Sequence, residues 1–237
     1  MSVAGQPLLI SDWKLSSIMR AILLATGNPG KAKEMREILA GADQGRLGAK
    51  VQWHQLSEFA DANWPEPVED GETFMANAEL KALYYAQLSG MWTIADDSGL
   101  VVDALNGEPG VRSARYAGEP KSDAANNALL IKRLAGVPQE QRTARFCCSV
   151  VLAGVPADRH VDAYKNADVS PIVLASAQGA VEGLIVDEPR GQNGFGYDPY
   201  FWVPAYQMTT AEMPSEAKHA ISHRGQALRL LRDRLPL

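Results

Sequence analysis

Cysteine is scarce in this chain: there are two, Cys147 and Cys148, side by side in the apolar run FCCSVVLA. Neighbours on a strand point to opposite faces, so the pair makes a poor disulfide. No CxxC spacing offers a metal site, and reduced thiols of a cytoplasmic protein are the expectation. Long apolar runs are missing as well. None approaches the roughly twenty residues that cross a bilayer, so no membrane partner is expected. Residues 1–20 lack the basic start and long apolar stretch of a secretory signal. They read as a loosely ordered extension before one domain over 21–237, with Met19 a candidate start just ahead of the first strand.

An excess of positive charge is also absent. Lys and Arg number 23 against 28 Asp and Glu, a formal net charge of −5, without the basic face of a nucleic-acid-coating protein. A small anionic substrate remains compatible, because a few cations in a cleft suffice. With 46% hydrophobic and 22% charged residues over 237 positions, the chain has the composition of a globular protein able to bury a substantial core.

What is present alternates early and then clusters. AILLA at 21–25 reads as a short strand buried on both faces. A turn over 26–30 leads to the helix KAKEMREILAG, with Met35, Ile38 and Leu39 on one face and Gly41 at its end. AKVQWHQL alternates like a strand, and the acidic, proline-bearing stretch 57–71 reads as a loop. ETFMANAELKALYYAQLSG is a helix, with Phe74, Ala78, Ala82 and Tyr85 at helical spacing and Gly90 as its stop. WTIA is a short strand running into DDSG. Residues 122–135 form a helix capped by Ser122. RFCCSVVLAG, HVDAYKNADV and AQGAVEGLIV read as strands, and GQNGFGYDPYFWVP as a glycine-rich loop entering an aromatic strand. TTAE at 209–212 fits a capping box. Ser222 caps a last helix, HRGQALRLLRDRL, with Leu228, Leu231 and Leu235 facing inward. The order predicts an α/β fold, a mixed central sheet flanked by helices.

LLATGNPGKAKE at 23–34 places a lysine after glycine at a strand-to-helix turn. A Walker A loop needs G-x-x-x-x-G-K-[ST]. Here Ala32 follows Lys31 and Ala25 stands five before Gly30, so this is no P-loop. The ingredients of an anion grip remain: amides at a helix N-terminus, glycines that admit close approach, and the Lys31 charge. Thr26 and Asn28 add side-chain hydrogen bonds. An ordinary turn with a solvated lysine accounts for the same residues equally well.

IADDSGL puts two aspartates and a serine at the exit of a buried strand, where α/β proteins place ligand sites. Adjacent carboxylates repel, so Asp96 and Asp97 both stay ionised only beside a cation or strong donors. Hard oxygen ligands suit Mg²⁺, which also bridges to substrate phosphates. A polar turn with aspartates on backbone amides is the alternative. The acidic loop ends in Glu69-Asp70-Gly71 and leads to Asn77 and Lys81, one turn apart on one helix face. Taken alone, that pair reads more simply as a solvated face. GFGYDP offers Phe195 or Tyr197 for a flat base to stack on and Asp198 as an acceptor, or is only a glycine-rich hairpin with surface aromatics. His219 and His223 stand four apart without a third ligand or an HExxH glutamate, so zinc is rejected. His223 and Arg224, at the start of the last helix, read as donors to an anion or to carbonyl oxygens.

These pieces occur in one order: TGNPGK, an acidic loop with FMANAELKA, ADDSGL, SARYAG, GFGYDP and ISHRGQAL. That ordered set resembles the inosine triphosphate pyrophosphatase family, from about Ala21 to the C-terminal helix. The resemblance implies a mixed α/β structure of two lobes with the substrate cleft between them, a homodimer, and a requirement for Mg²⁺. It implies hydrolysis of dITP, ITP and XTP to monophosphate and pyrophosphate by attack of water on the α-phosphate. By position, Thr26, Gly27, Asn28 and Lys31, with Pro29 and Gly30 between them, match the triphosphate-gripping segment. Glu69 and Asp97 match the metal and catalytic carboxylates, although Glu66, Asp70 and Glu72 crowd the same loop. Asp96 stands alongside, Ser98 touches substrate, and Asn77 and Lys81 face the phosphates, with Lys81 among the catalytic groups. Phe195, Gly196, Tyr197, Asp198, Lys218, His223 and Arg224 match the base pocket. Residues 156–180 run longer than the family pattern, and 1–20 have no counterpart in it.

Two other readings compete on the residues alone, a different phosphate-transfer enzyme and a nucleotide-binding protein without turnover. The failed Walker A pattern counts against the first. The paired Asp96 and Asp97 count against the second, because a pure binder gains little from carboxylates beside phosphates.

Overall fold

In a computed structural model of the chain, residues 20–41, 51–155 and 170–235 are described. Residues 1–19 of the expected extension over 1–20 and the expected strand HVDAYKNADV lie outside them, while Arg20 begins the first strand. The apolar strand β1 (Arg20–Leu24) is flanked by β2 (Val51–Gln55) and β3 (Trp92–Val102) and runs parallel to both. From β3 the sheet continues antiparallel through β4 (Thr143–Gly154), β5 (Ile172–Ile185), β6 (Phe201–Val203) and β7 (Met208–Thr209). The order is β2-β1-β3-β4-β5-β6-β7, a mixed α/β sheet as the element order predicts.

Helix α1 (Pro29–Gly41) starts with proline at its first position, where the missing N–H costs nothing, and Asn28 Oδ1 accepts from Lys31 N at 3.1 Å. Its Met35, Ile38 and Leu39 pack with Leu228 and Leu231 of α5 (His223–Arg232) and with Ile94 and Val150 on one face of the sheet. Helix α2 (Phe74–Ser89) begins at Thr73, whose hydroxyl accepts from Ala76 N, and ends at left-handed Gly90, φ 67°. Its fully buried Ala78, Ala82 and Ala86 lie against Ala95 and Ala153 on the opposite face. A larger side chain in that alanine seam would overpack it, at about 1–3 kcal/mol. Helices α3 (Asp123–Arg133) and α4 (Ser215–Ile221) close the far end, where Leu100, Leu130, Phe146, Phe201 and Met213 form a third cluster.

Period-2 alternation along β3 then fixes the site. Ile94 belongs to the α1/α5 face and Ala95 to the α2 face, so Asp96 follows the first and Asp97 the second. DDSG is therefore not a turn beyond a short strand. β3 runs on through it for 11 residues, because β4 pairs with Asp96, Asp97 and Ser98 as it does with their neighbours.

Other differences have local causes. Leu56–Ala62, spanning the end of the expected strand and the start of the expected acidic loop, is a 3-10 helix, with Glu58 bonding the Gln55 N–H. TTAE caps no helix. Glu212 accepts from Thr209 N, but the Thr209 hydroxyl donates to Arg190 O, and α4 starts only after Pro214. Cys148 is buried and Cys147 half-buried, each on its own face of β4. Among the described residues no helix is long and apolar enough to cross a membrane.

Candidate active site

On the α2 face, Asp97 Oδ1 lies 3.2 Å from Lys81 Nζ, and its Oδ2 accepts from Asn77 Nδ2 at 3.3 Å. Lys81 also donates to Glu69 Oε2 at 3.1 Å, so one ammonium is shared by carboxylates from a strand and a loop. Asn77 holds that loop in place, bonding both the N–H and the C=O of Gly71 at 2.8 and 3.2 Å. A Cβ at Gly71 would stand 2.6 Å from Asn77 Oδ1, so the contact requires glycine. From the other side Arg115 donates to the Glu69 carbonyl at 3.1 Å. Of the acids crowding this loop, Glu66 and Glu69 line the cleft, and Glu69 is joined to Asp97 through Lys81.

Burial pushes the Asp97 carboxyl above its ordinary range, and Glu69 and Asp96 add to that, outweighing the pull of Lys81 and Lys31. Burial opposes charge on Lys81 too, yet Asp97, Asp96 and Glu69 more than offset it and the ammonium is held charged. Among the described residues no group of three or more His, Cys, Asp or Glu could hold a metal ion. A cation here would take two hard carboxylate oxygens, from Asp97 and Glu69, and complete its shell with water or phosphate. That donor set fits Mg²⁺.

On the α1/α5 face, Asp96 is fully buried. Its Oδ2 lies 3.2 Å from Lys31 Nζ and 3.3 Å from Arg224 Nε, and accepts from Ser98 Oγ at 3.3 Å. Arg224 also donates to Ser98 Oγ at 2.9 Å and to Glu34 Oε2. Glu34 Oε1 pairs with Lys218 Nζ at 2.9 Å, and Lys218 with Asp198 Oδ2 at 2.7 Å. The result is a buried chain, Lys31–Asp96–Arg224–Glu34–Lys218–Asp198, tying the opening turn to the base loop. Burial alone would raise the Asp96 carboxyl, but Lys31, Arg224 and Lys81 hold it far below its usual range. Glu34 is likewise held down, against burial, by Arg224 and Lys218. Removing one member of such a buried set strands its partner and costs about 3–5 kcal/mol.

The base side is narrower than the sequence suggested. Tyr197 is buried, with its hydroxyl donating to Ser113 O at 2.8 Å, so its ring is core rather than a free stacking face. Asp198 is occupied by Phe195 N, Thr210 Oγ1 and Lys218 at 2.7–2.8 Å. Phe195 keeps an accessible ring, with Lys218 Nζ and the Arg224 guanidinium 5.2 and 5.8 Å from its centroid. The ring passes so close to the opening turn that a Cβ at Gly30 would meet Phe195 Cδ1 at 2.7 Å. His223 stacks on Phe146 at 4.9 Å, and burial together with Arg224 and Lys218 keeps its imidazole neutral. His219 and His223 sit on separate helices, broken at Ser222, and His219 pairs with Glu37.

One cleft of about 420 Å³ gathers most of these groups. Thr26, Gly27, Asn28, Pro29, Lys31, Glu69, Lys81, Asp97 and Ser98 line it, as do Phe195, Gly196, Tyr197, Asp198, Lys218, His223 and Arg224. Gly30, Asn77 and Asp96 stand behind the wall. Sequence reasoning missed Glu34, although it sits one turn after Lys31 on the apolar stripe of α1, where a charge needs a partner. It also passed over Arg115 and Asp123, which line the cleft from SARYAG and the start of α3.

Residues 22–234 match the sequence model of the Ham1 family. A curated dITP/XTP pyrophosphatase of Lactobacillus acidophilus is 47% identical over 215 residues, covering 91% of this chain and 96% of the relative. One from Geobacter sulfurreducens is 46% identical over 217 residues, 92% and 97% of the two chains. The solved HAM1 protein of Coxiella burnetii superposes with a TM-score of 0.71 at 39% identity, covering 91% of this chain and 98% of the other. The Ham1 protein of Staphylococcus aureus gives 0.70 at 38% identity, with 90% and 97% covered.

Proposed function

The chain belongs to the Ham1 family, and on that premise we propose that it hydrolyses dITP, ITP and XTP to the monophosphate and pyrophosphate with Mg²⁺ as cofactor. The observation that carries this is the pairing of Asp97 and Glu69 across Lys81 on one wall of a cleft whose other walls hold Lys31 and the Phe195 ring. The curated relatives named as dITP/XTP pyrophosphatases support the same substrate class.

Asp97 and Glu69 would hold the cation together with phosphate oxygens, and when bound it offsets phosphate charge and acts as a Lewis acid. Lys31 and Lys81 meet the negative charge that collects on the departing pyrophosphate. Asp97, ionised beside Lys81 and the cation, is placed to accept the proton of the attacking water. Asn77 fixes the rotamer of Asp97 and the end of the loop that carries Glu69. Asp96 does not touch substrate: it is spent on orienting Lys31 and Arg224.

Phe195 supplies the stacking face, and the Lys218 and Arg224 donors beside it suit a 6-keto oxygen. A 6-amino group facing those donors leaves a buried polar group unpaired, at about 1–3 kcal/mol. Assembly as a homodimer belongs to the same proposal and is read from the mass in solution. Turnover in heavy-oxygen water tests the chemistry. Label confined to the monophosphate supports attack at the α-phosphorus, whereas label in pyrophosphate or orthophosphate points to another phosphate-transfer reaction.

A further inference from the structure

Phe195 lies between two glycines with left-handed backbones, Gly194 at φ 78° and Gly196 at φ 63°. Such a segment is loose by composition, and glycines lose the most conformational freedom on ordering. The ring it carries is the platform of the cleft; Asp198 holds Phe195 N from within the loop, and Gly196 is held from outside it.

The outside hold comes from the first two turns of α3. Asp123 Oδ2 accepts from Gly196 N at 2.8 Å, and Asn127 Nδ2 donates to Gly196 O at 2.9 Å. Asp123 and Asn127 stand four apart, on one face of the helix, and together they engage both polar groups of one residue. Asn126, between them, accepts from Ala117 N at 2.7 Å and donates to Ala114 O at 3.1 Å. The same turns thus join SARYAG to GFGYD, and the Tyr197 hydroxyl adds a third tie to Ser113 O.

We propose that Asp123 and Asn127 are positioning residues for the nucleobase: by clamping Gly196 from both sides they fix the Phe195 ring, and with it the selectivity of the pocket. The inference rests on the pyrophosphatase reading given above. It separates two halves of substrate recognition, because the clamp serves the base, whereas Lys31 and Lys81 hold the phosphates from other elements. A loop freed by one lost hydrogen bond of ordinary strength weakens base binding about five- to tenfold.

The test is binding of XMP and of pyrophosphate, each with Mg²⁺, to the full chain and to Asp123→Ala, Asp123→Asn and Asn127→Leu. XMP should weaken about five- to tenfold in Asp123→Ala and Asn127→Leu, with pyrophosphate within about twofold of the parent. Asp123→Asn should restore XMP affinity, since its amide oxygen still accepts from Gly196 N. The ratio of kcat/KM for XTP over ATP should fall in the same two variants, because the Lys218 and Arg224 donors meet the 6-keto oxygen only when the ring holds the base in place. Asp123 is exposed, so its variants keep the test alive if Asn127→Leu fails to fold. Unchanged XMP affinity, equal loss of XMP and pyrophosphate, or an Asp123→Asn as weak as Asp123→Ala overturns the clamp. A parent chain that binds no XMP fails at the functional reading itself, before any variant is made, and the clamp falls with it.

Discussion

Asp96 and Asp97 are consecutive on β3 and face opposite sides of the sheet, with Asp96 Oδ2 3.2 Å from Lys31 and Asp97 Oδ1 3.2 Å from Lys81. Two carboxylates that would repel in a turn are separated by the strand pleat, each with its own ammonium. The separation divides their work. Asp97 lines the cleft, where the proposed reaction places the metal and the attacking water, whereas Asp96 is the buried anion paired with Lys31 and Arg224.

Substitution should expose that division. Asp97→Asn is expected to lower kcat by about a thousandfold, the range of a lost general base, while nucleotide binding by calorimetry persists. Asp96→Asn should instead lower stability by about 3 kcal/mol in a denaturant melt and raise KM through a misdirected Lys31. An active Asp97→Asn would mean that another group takes the proton.

The pH dependence of stability follows from the same burial. Asp96 is held below the unfolded carboxylate value of about 3.9, so its ion pairs stabilise fully above that pH and are lost as the pH falls beneath it. His223 is kept neutral in the fold but takes a proton near pH 6.5 once unfolded, so stability also declines as the pH drops below about 6.5. Metal-free denaturation between pH 7 and 3 should show both declines. His223→Phe should flatten the upper one and Asp96→Asn the lower. Curves parallel to the parent in both variants would refute the assignments.

Glu34 joins Lys218 to Arg224, and Glu34→Gln leaves two buried cations short of a counter-charge. We expect a loss of about 3 kcal/mol in stability and a KM for XTP that rises more than kcat falls. Steady-state kinetics beside a thermal melt reads both. A variant as stable as the parent would show that Asp96 and Asp198 suffice.

Two glycines of the opening turn should behave differently. A Cβ at Gly30 meets Phe195 Cδ1 at 2.7 Å, whereas at Gly27 the nearest atom, Glu66 Oε1, is 3.4 Å away. Gly30→Ala should cost about 1–3 kcal/mol and weaken XMP binding, and Gly27→Ala should leave the fold intact. Equal melting temperatures for both variants would contradict the packing of Phe195 on this turn.

Much of this was legible in the sequence where local chemistry decides. The apolar strand β1, the Ser122 and Ser222 caps, the Gly90 stop and the alanine stripe of α2 are signals within a few residues of one another. DDSG was misplaced because nothing local distinguishes a polar turn from a polar stretch of strand. Its pairing with β4 is a contact across some fifty residues, as with Asp96 and Cys148. Glu34 was passed over for the same reason: its partners are more than 180 residues away, and α1 alone shows only a charge on an apolar stripe. Tyr197 and Asp198 read as ligand groups until their bonds to Ser113, Thr210 and Lys218 showed them to be the frame that holds Phe195.

The most direct measurement is pyrophosphate release, with Mg²⁺, across dITP, ITP, XTP, ATP and GTP at equal concentrations. The arrangement of Asp97, Glu69 and Lys81 beside Phe195, Lys218 and Arg224 predicts rapid release from dITP, ITP and XTP and little from ATP, whose 6-amino group faces those donors, and the proposed substrate class adds little release from GTP. Equal rates on all five, or orthophosphate in place of pyrophosphate, would contradict it.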